Sequence, residues 1–337
     1  MTRRARRAGV AGVIAVTGAE AGLGRLVHER LAARDDLQDL VAVPAPTRRS
    51  LAGAGTVVHL ATTYDAGASP ADRRRRNVDG TRRLLETARA AGVARVVLVT
   101  SAEVYGTVPG RSLPIADDAP LGADADHGLL AEHLEVERLA AHAVRTGLAT
   151  AVLRPASLAG GALGPSDDGA QLRQLSGPRL LAVRGVEPRW QLCHVDDLAA
   201  ALELVAATTL TGGMAVACEG SLPQSAVEAI AGKGRVVLPA GVAVGTAERL
   251  HRLGLTTSSP HELDHLLAPI VVASTRLRQA GWRPSWTNEA VLRAHLEQRP
   301  QPAGDGRPGA YTAAGATVAL LGTAALVRQA RRRRRRG

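Results

Sequence analysis

A glycine-rich segment between an apolar run and an amphipathic run constrains the fold of this chain more than any other feature. Residues Val10–Thr17 are apolar and predict a first strand, and Gly22–Ala33 predict a helix. One face of this helix is apolar and consists of Leu23, Leu26, Val27 and Leu31. The segment Thr17–Gly24, with the sequence TGAEAGLG, joins the two elements. Glycines let a backbone approach phosphates closely, and a helix N-terminus offers N–H groups to an anion, so the segment predicts a site for the diphosphate of a dinucleotide.

The alternation of apolar and amphipathic runs continues along the chain. It predicts further strands at Leu40–Val43, Thr56–Ala61, Arg95–Ser101 and Ala149–Pro155. It predicts further helices over Val78–Ala88, with a stop at Gly92, and over Leu129–Arg145. Strands that alternate with helices in this way predict an α/β fold with a doubly wound parallel sheet. Residues 9–158 would form the core of this fold, and the less regular residues 159–298 would complete the sheet and form a smaller C-terminal substrate lobe.

The net charge of +11 is concentrated at the two ends of the chain. The arginines of the head (residues 1–8) and of the tail are Arg3, Arg4, Arg6, Arg7 and Arg331–Arg336. The chain between them is close to neutral, which argues against nucleic-acid binding, because a groove for phosphates needs basic residues on the folded surface. The one internal basic run, Arg73–Arg76, is predicted to be a solvated helix face.

Side chains suited to disulfides or metal ions are few. Cys193 and Cys218 are the only cysteines, and both are predicted to be buried small residues in a reducing compartment. The histidines His251, His261 and His265 lie near acidic residues, but their spacing matches no metal motif, so no metal site is predicted.

The two ends of the chain bear on its localisation. The N-terminal arginines and the apolar residues after them mimic a signal peptide, but cleavage there would remove the first strand, so we expect a cytoplasmic protein. Residues 299–308 are rich in proline and glycine and predict a linker. Residues 309–327 carry no charge and precede the arginine tail, so residues 309–337 leave three interpretations open: a helix on an anionic membrane surface, a flexible tail, or a membrane span.

Five further motifs resemble those of one protein family. They are His59-Leu60-Ala61, Asn77-Val78-Asp79-Gly80-Thr81, the segment Val99–Gly106, Leu153-Arg154-Pro155 and His194-Val195-Asp196-Asp197. In this order and spacing, over residues 10 to 200, the chain resembles the NAD-dependent epimerase/dehydratase group of the extended short-chain dehydrogenases/reductases.

The resemblance implies a Rossmann-like fold, NAD or NADP as cofactor, and a homodimer that pairs through two helices. The residues that it assigns to cofactor binding are Thr17, Gly18, Ala21, Gly22, Leu23, Gly24, His59, Leu60, Ala61, Asn77, Thr100 and Ser101. Asp196 and Asp197 fit helix capping better than metal binding.

The cofactor region departs from the family pattern in two ways. Ala21 stands where the extended branch has glycine. The second strand ends in Val43-Pro44-Ala45 without the acidic residue that binds an adenosine ribose, and the chain between Gly24 and His59 is too short for the family's third strand and its adenine-contacting Asp. Arg48 and Arg49 would then face the 2′-phosphate of NADP or belong to a shortened surface loop.

The catalytic pair of the family is missing. A Tyr phenol and a Lys four residues later are expected within His127–His133, which contains neither residue type. The only tyrosines are Tyr64, Tyr105 and Tyr311, and the only lysine is Lys233, so the chain has no Tyr-x-x-x-Lys. Ser101 matches the family's catalytic serine. His127 lies near the position of the phenol, where it is either a substitute acid/base or a histidine at the start of a helix.

Three functions remain open from the sequence. The first is a dinucleotide-binding relative of the epimerases without the standard catalysis, acting as a sensor or scaffold. The second is an active oxidoreductase or epimerase with a rearranged site, which uses Ser101 and His127 on a sugar-nucleotide-like or carbonyl substrate. The third is a membrane-associated interaction protein on a Rossmann frame, which contacts the membrane through residues 309–337.

Overall fold

The computed structural model describes residues 12–37, 39–63, 68–108, 110–161, 163, 169–243, 245, 249 and 265–298. The predictions for the basic head, the linker, residues 309–337, His251 and His261 lie outside the described residues. In the described part of the chain, no helix is both long enough and apolar enough to cross a membrane.

Twelve strands are present in the described part of the chain. They are β1 (Val13–Thr17), β2 (Leu40–Ala42), β3 (Ala54–His59), β4 (Arg95–Val99), β5 (Ala149–Pro155), β6 (Ser157–Ala159), β7 (Leu180–Val183), β8 (Arg189–Trp190), β9 (Leu192–His194), β10 (Gly212–Val216), β11 (Leu222–Pro223) and β12 (Arg235–Leu238).

The α-helices of the same residues are α1 (Gly22–Ala32), α2 (Pro70–Arg74), α3 (Thr81–Ala90), α4 (Gly128–Arg145), α5 (Ala170–Arg173), α6 (Val195–Ala206), α7 (Gln224–Ala231), α8 (Thr275–Gln279) and α9 (Asn288–Gln298). A π-helical turn (Arg75–Gly80) joins α2 to α3, and 3-10 turns cover Ala102–Tyr105 and Gln174–Ser176.

Six strands form one parallel sheet in the order β10-β5-β4-β3-β1-β2. The predicted doubly wound parallel sheet is therefore confirmed. The described residues between β2 and β3 contain only bends and turns, so β2 is the edge of the sheet. The third strand that the family pattern would place outside β2 is absent from this part of the described chain, as its short length predicts.

Helices cover both faces of the sheet. On one face α1 and α6 pack against the strands through apolar residues that include Leu23, Val27, Leu31, Leu198, Leu202 and Val205. On the other face α3 and α4 contribute Leu84, Leu85, Ala88, Val136, Ala140 and Ala143. Both stripes have helical spacing, and burial of a Leu or Val side chain contributes about 1.5–3 kcal/mol. Because helices cover both faces of the sheet, both sides of each central strand are buried, and these strands are almost uninterrupted runs of Val, Leu and Ala.

After β5 the chain completes the sheet with α6 and β10, and its other described strands form short pairs outside the sheet, in the smaller lobe. These are β6–β9 and β7–β12, which are parallel, and β8–β11, which is antiparallel. Trp190 is the largest side chain in the core of this lobe. Cys193 and Cys218 are buried and free of disulfides, as predicted, and burial raises the pKa of Cys218 to about 12.

Two predictions about charged residues need correction. Arg73 is buried, with 5% exposure, whereas the three arginines after it are exposed, so only part of this basic run is a solvated face. Asp197 does not cap its own helix. Its carboxylate accepts hydrogen bonds from the backbone N–H groups of Ser285 and Trp286 at 2.8 and 3.1 Å and from Ser285 Oγ at 2.6 Å. The N-cap of α6 is His194, whose Nδ1 accepts from the N–H of Asp196.

A buried ion pair joins α4 to the centre of the sheet. Arg154 Nε and Nη2 donate to the two carboxylate oxygens of Glu137 at 2.8 and 2.9 Å, and Thr100 Oγ1 donates to the same carboxylate at 2.8 Å. The third guanidinium nitrogen, Nη1, donates to the Tyr105 hydroxyl and to the carbonyl oxygen of Asp117. The Tyr105 hydroxyl donates to the same carbonyl at 2.9 Å.

The side chain of Asp117 extends this connection to the smaller lobe. Its carboxylate accepts the backbone N–H groups of Ala215 at 2.6 Å and Arg276 at 2.8 Å. Ala215 lies in β10 and Arg276 in α8, so one aspartate holds the edge strand and a lobe helix against the loop that follows β4.

Glu137→Gln is expected to lower the free energy of unfolding by about 3 kcal/mol, because it leaves the guanidinium of Arg154 buried beside a neutral partner. The matched control is Glu289→Gln, since Glu289 pairs with Arg293 on the surface at 2.8 Å and such pairs are worth less than about 1 kcal/mol. Urea unfolding of both variants measures the difference. Equal losses would contradict a structural role for the buried pair.

The pH dependence of stability should reflect His133. Burial, helped by the nearby charge of Arg73, lowers the pKa of His133 from 6.5 to about 4. Between these values the unfolded chain binds more protons than the folded protein, so stability falls as the pH falls through this window. Between about pH 7.5 and about pH 5 the expected loss from His133 is roughly 2 kcal/mol.

Urea unfolding at the two pH values should show a shallower loss for His133→Leu than for the wild type, whereas His142→Leu, at an exposed position, should leave the slope unchanged. A His133→Leu variant that loses stability in parallel with the wild type would contradict this assignment.

Candidate functional site

The glycine-rich turn after β1 depends on three glycines. Gly18 and Gly22 have φ angles of +74° and +54°, in the left-handed region that favours glycine. Gly24 has a different role, because a Cβ there would lie 1.8 Å from the carbonyl oxygen of Gly18. The first turn of α1 can therefore lie directly on the turn that follows β1 only while residue 24 is glycine. We call residues 17–24 the phosphate loop.

The N-terminus of α1 is open to a ligand. Ala21 is its N-cap, and no side-chain hydrogen bond caps this end. The first turn contains no acidic residue that would compete with an anion. Ala21 has extended backbone with φ −154° and ψ 168°, which any residue adopts, so the alanine in place of the family's glycine causes no backbone strain. The arrangement is suited to a phosphate group.

The residues after β3 form a wall beside the phosphate loop. A Cβ on Gly18 would lie 2.6 Å from the backbone of Leu60 and Ala61, so the two segments are in direct contact. Thr17 and His59 are opposite each other in the register of β1 and β3, and Thr17 Oγ1 lies 2.7 Å from His59 Nδ1. Burial lowers the pKa of His59 to about 4, so this histidine is neutral at physiological pH.

Thr100 and Ser101 follow the carboxyl end of β4, whereas Asn77 lies in the π-helical turn between α2 and α3. Asn77 binds the backbone of Thr63, the last described residue after β3. The hydroxyl of Thr100 is fully buried and donates to Glu137, so any contact of Thr100 with a cofactor would come from its backbone. Ser101 Oγ accepts the N–H of Glu103, and its hydroxyl proton remains available for donation.

The segment His127–His133, where the resemblance led us to expect the family's Tyr and Lys, forms the start of α4. His127 is the N-cap of this helix. The predicted helix-start histidine is thus found, and its Nδ1 contacts the carboxylate of Asp126. Val104, three residues after Ser101, packs against Leu130 of α4, so the Ser101 and His127 segments are neighbours.

The described tyrosine and the lysine are engaged elsewhere. Tyr105 is fully buried with its hydroxyl bonded to Arg154 and Asp117, and burial raises its pKa. Lys233 donates from Nζ to the carbonyl oxygens of Leu175 and Gly177 in the smaller lobe. Tyr64 and Tyr311 lie outside the described residues.

Sequence reasoning missed two features of this region. One is the buried pair of Arg73 and Glu132, whose Nε and Oε1 atoms lie 2.8 Å apart. The other is a cavity of about 260 Å³ next to the Ser101 segment, whose polar lining includes Glu103, Asp124 and His265. Helical periodicity from Leu130 and Leu134 could have indicated that His133 faces inward, but it places Glu132 on another side of the helix, so the burial of Glu132 has no such signal. Among the described residues no group of three His, Cys, Asp or Glu side chains could hold a metal ion.

Comparison with known proteins places this geometry in a family. The model of the NAD-dependent epimerase/dehydratase family matches residues 14–216. An uncharacterized protein of Mycobacterium tuberculosis is 29% identical over 309 residues, which cover 82% of this chain and 81% of that protein.

Solved structures share the fold. The structure of RMD from Pseudomonas aeruginosa complexed with NADPH has a TM-score of 0.58 and 22% identity, and the match covers 85% of this chain and 98% of that one. UDP-glucose 4-epimerase from Thermotoga maritima with UDP-glucose has a TM-score of 0.59 and 18% identity, with 84% and 97% covered. The family model covers the parallel sheet from the second residue of β1 to the end of β10, and this chain therefore belongs to the NAD-dependent epimerase/dehydratase family.

Proposed function

We propose that this protein binds a nicotinamide dinucleotide at the phosphate loop and does not perform the Tyr/Lys proton transfer of its family, so that it acts as a dinucleotide-dependent sensor or scaffold. The observation that carries the proposal is the contrast between two ends of one site. The phosphate loop has the left-handed glycines and the uncapped helix N-terminus that an anion needs. The start of α4 has neither a tyrosine nor a lysine in residues 127–133, where proton transfer in the family needs a phenol and an amine.

A phosphate at α1 would receive backbone N–H groups and the positive end of the helix dipole. NADPH in the relative from Pseudomonas aeruginosa supports a nicotinamide dinucleotide as the ligand. The geometry of the phosphate loop is the stronger support, because it is a property of this chain, whereas the bound NADPH belongs to a relative.

The choice between NAD and NADP depends on the segment after β2. Residues 40–63 contain no acidic side chain that could accept hydrogen bonds from an adenosine ribose, and Arg48 and Arg49 are exposed there. An NAD-specific ribose site needs a carboxylate, whereas a 2′-phosphate needs positive charge. We therefore expect NADP(H) to bind more tightly than NAD(H).

The chemistry at the start of α4 explains the proposed lack of standard turnover. In the family the phenol exchanges a proton with the substrate, and the amine lowers the pKa of the phenol. Residues 127–133 contain no lysine, so an imidazole at position 127 has no amine from this segment beside it. Ser101 can still orient a carbonyl group by donating its hydroxyl proton.

Calorimetric titration with NAD, NADH, NADP and NADPH tests the proposal. Gly24→Ala should weaken binding by a factor of about 10 or more, because the added Cβ would collide with the Gly18 carbonyl and displace the N–H groups of α1. Gly241→Ala is the matched control, since no atom lies within 4 Å of the added Cβ.

Thermal unfolding of both variants separates lost binding from lost folding. If the wild-type protein binds none of the four dinucleotides, the proposed function is wrong. If Gly24→Ala is folded and binds as tightly as the wild type, the phosphate loop is not the site.

A second candidate function is an active oxidoreductase or epimerase with a rearranged site. The contact of His127 Nδ1 with Asp126 favours it, because a carboxylate that holds Nδ1 orients an imidazole for proton transfer through Nε2. The substrate would be a sugar-nucleotide-like or other carbonyl compound, with Ser101 as its hydrogen-bond donor.

This candidate predicts that the protein oxidises or reduces its cofactor, which the absorbance of the cofactor measures. The double variant Ser101→Ala/His127→Ala should lower the rate of this reaction by a factor of about 100 or more. His142→Ala, at an exposed position on α4, is the control and should leave the rate unchanged. Full activity in the double variant would remove both residues from the mechanism.

A further inference from the structure

A buried ion pair joins α4 to α2. Glu132 of α4 accepts through Oε1 a hydrogen bond from Arg73 Nε of α2 at 2.8 Å. The side chains of Arg73 and Glu132 are each only 6% exposed. Neither residue belongs to the phosphate loop, so the proposed binding of a dinucleotide does not by itself account for the pair.

The other carboxylate oxygen of Glu132 orients Asn77. Asn77 Nδ2 donates to Glu132 Oε2 at 2.8 Å and to the carbonyl oxygen of Thr63 at 2.9 Å. Asn77 Oδ1 accepts the backbone N–H of Thr63 at 2.8 Å. Both protons of the amide nitrogen and the amide oxygen are thus engaged, and a flip of the amide would place donors against donors.

The π-helical turn Arg75–Gly80 carries Asn77. Within it the Thr81 hydroxyl donates to the carbonyl oxygen of Asn77 at 2.6 Å. π-helical turns inside α-helices are frequent at functional sites, because the extra residue changes the direction of one side chain. Here the turn coincides with the asparagine that contacts the loop after β3.

Residues 60–63 connect this cluster to the phosphate loop. Thr63 is held by Asn77, and Leu60 and Ala61 lie against Gly18 at distances that leave no space for a Cβ. Asn77 therefore holds residues 60–63 at one end, and the other end of this segment forms one wall of the phosphate loop.

We propose that Glu132 and Arg73 are positioning residues, which set the affinity for the dinucleotide by holding Asn77 and, through it, residues 60–63 against the phosphate loop. The inference rests on the proposed function. If residues 60–63 are already ordered in the free protein, the entropic cost of ordering them does not reduce the affinity for the ligand. A buried ion pair is by itself weak evidence of stabilisation, because desolvation offsets most of the attraction, so its geometric role is the better explanation.

The first experiment compares Glu132→Gln with Glu135→Gln. In Glu132→Gln an NH2 group replaces one oxygen and meets a donor from either Arg73 or Asn77. Glu135 lies one turn further along α4 and pairs with Arg82 of α3 at 3.2 Å, without a hydrogen bond to Asn77. It joins α4 to the neighbouring helix α3 and is the matched control, a carboxylate of α4 that also pairs with an arginine of another helix.

For Glu132→Gln we expect the Kd of NADPH to rise by a factor of about 10, on the scale at which one lost polar contact changes an affinity. The Thr63 amide should exchange its hydrogen faster in the free protein, because its acceptor, Asn77 Oδ1, is no longer fixed. Glu135→Gln should change neither quantity. An unchanged Kd and unchanged Thr63 exchange in folded Glu132→Gln would overturn the inference.

The double variant Arg73→Met/Glu132→Leu separates positioning from stability. Apolar residues of similar volume often replace a buried ion pair without loss of stability. We therefore expect unfolding close to that of the wild type together with the weakened affinity, since the introduced leucine side chain would offer Asn77 no acceptor. Recovery of wild-type affinity in this variant would overturn the inference, because it would assign the pair to stability alone.

The two hypotheses fail differently. A wild-type protein that binds no dinucleotide overturns the proposed function and the inference with it. A wild-type protein that binds normally, with both Glu132 variants equal to it in affinity, overturns only the inference about Glu132 and Arg73.

Discussion

The ion pair between Arg154 and Glu137 is the interaction on which the assembly of the molecule depends. Taking two charges out of water costs several kcal/mol per ion, and this cost is offset only when nearly every donor has a partner. Here the guanidinium reaches Glu137 on α4, the hydroxyl of Tyr105 and the carbonyl of Asp117. Asp117 then holds β10 and α8 through backbone N–H groups. The smaller lobe is therefore attached to the sheet through largely buried polar groups.

Helix α4 serves as an anchor for its surroundings. Two carboxylates on it are buried, and each binds an arginine from another element: Glu132 binds Arg73, and Glu137 binds Arg154. Both carboxylates are largely shielded from water, so α4 fixes the neighbouring segments of the chain through these two pairs.

The parallel sheet and the phosphate loop could be predicted because both depend on local patterns. Helical and strand periodicity is visible within ten residues, and a left-handed turn needs glycine at a fixed place, as at Gly18 and Gly22. The buried charges could not be predicted. Arg73 looks like its three neighbours in a basic run, and its partner Glu132 is 59 positions away. Asp197 looks like a helix cap, but the groups that it binds are 88 and 89 positions away. Such pairings exist only once the fold has brought distant segments together.

The short edge of the sheet has a consequence for the behaviour of the protein at high concentration. Unpaired N–H and C=O groups on an outer strand are a template on which a second chain can add its own strand. When a sheet lacks an outer strand, the next strand becomes the edge, and its unpaired N–H and C=O groups can bind a strand of another chain. Here that strand is β2, which is only three residues long, with Val41 44% exposed. Three residues offer too few hydrogen bonds to hold a foreign strand, so the short connection between β2 and β3 does not create a surface for edge-to-edge aggregation.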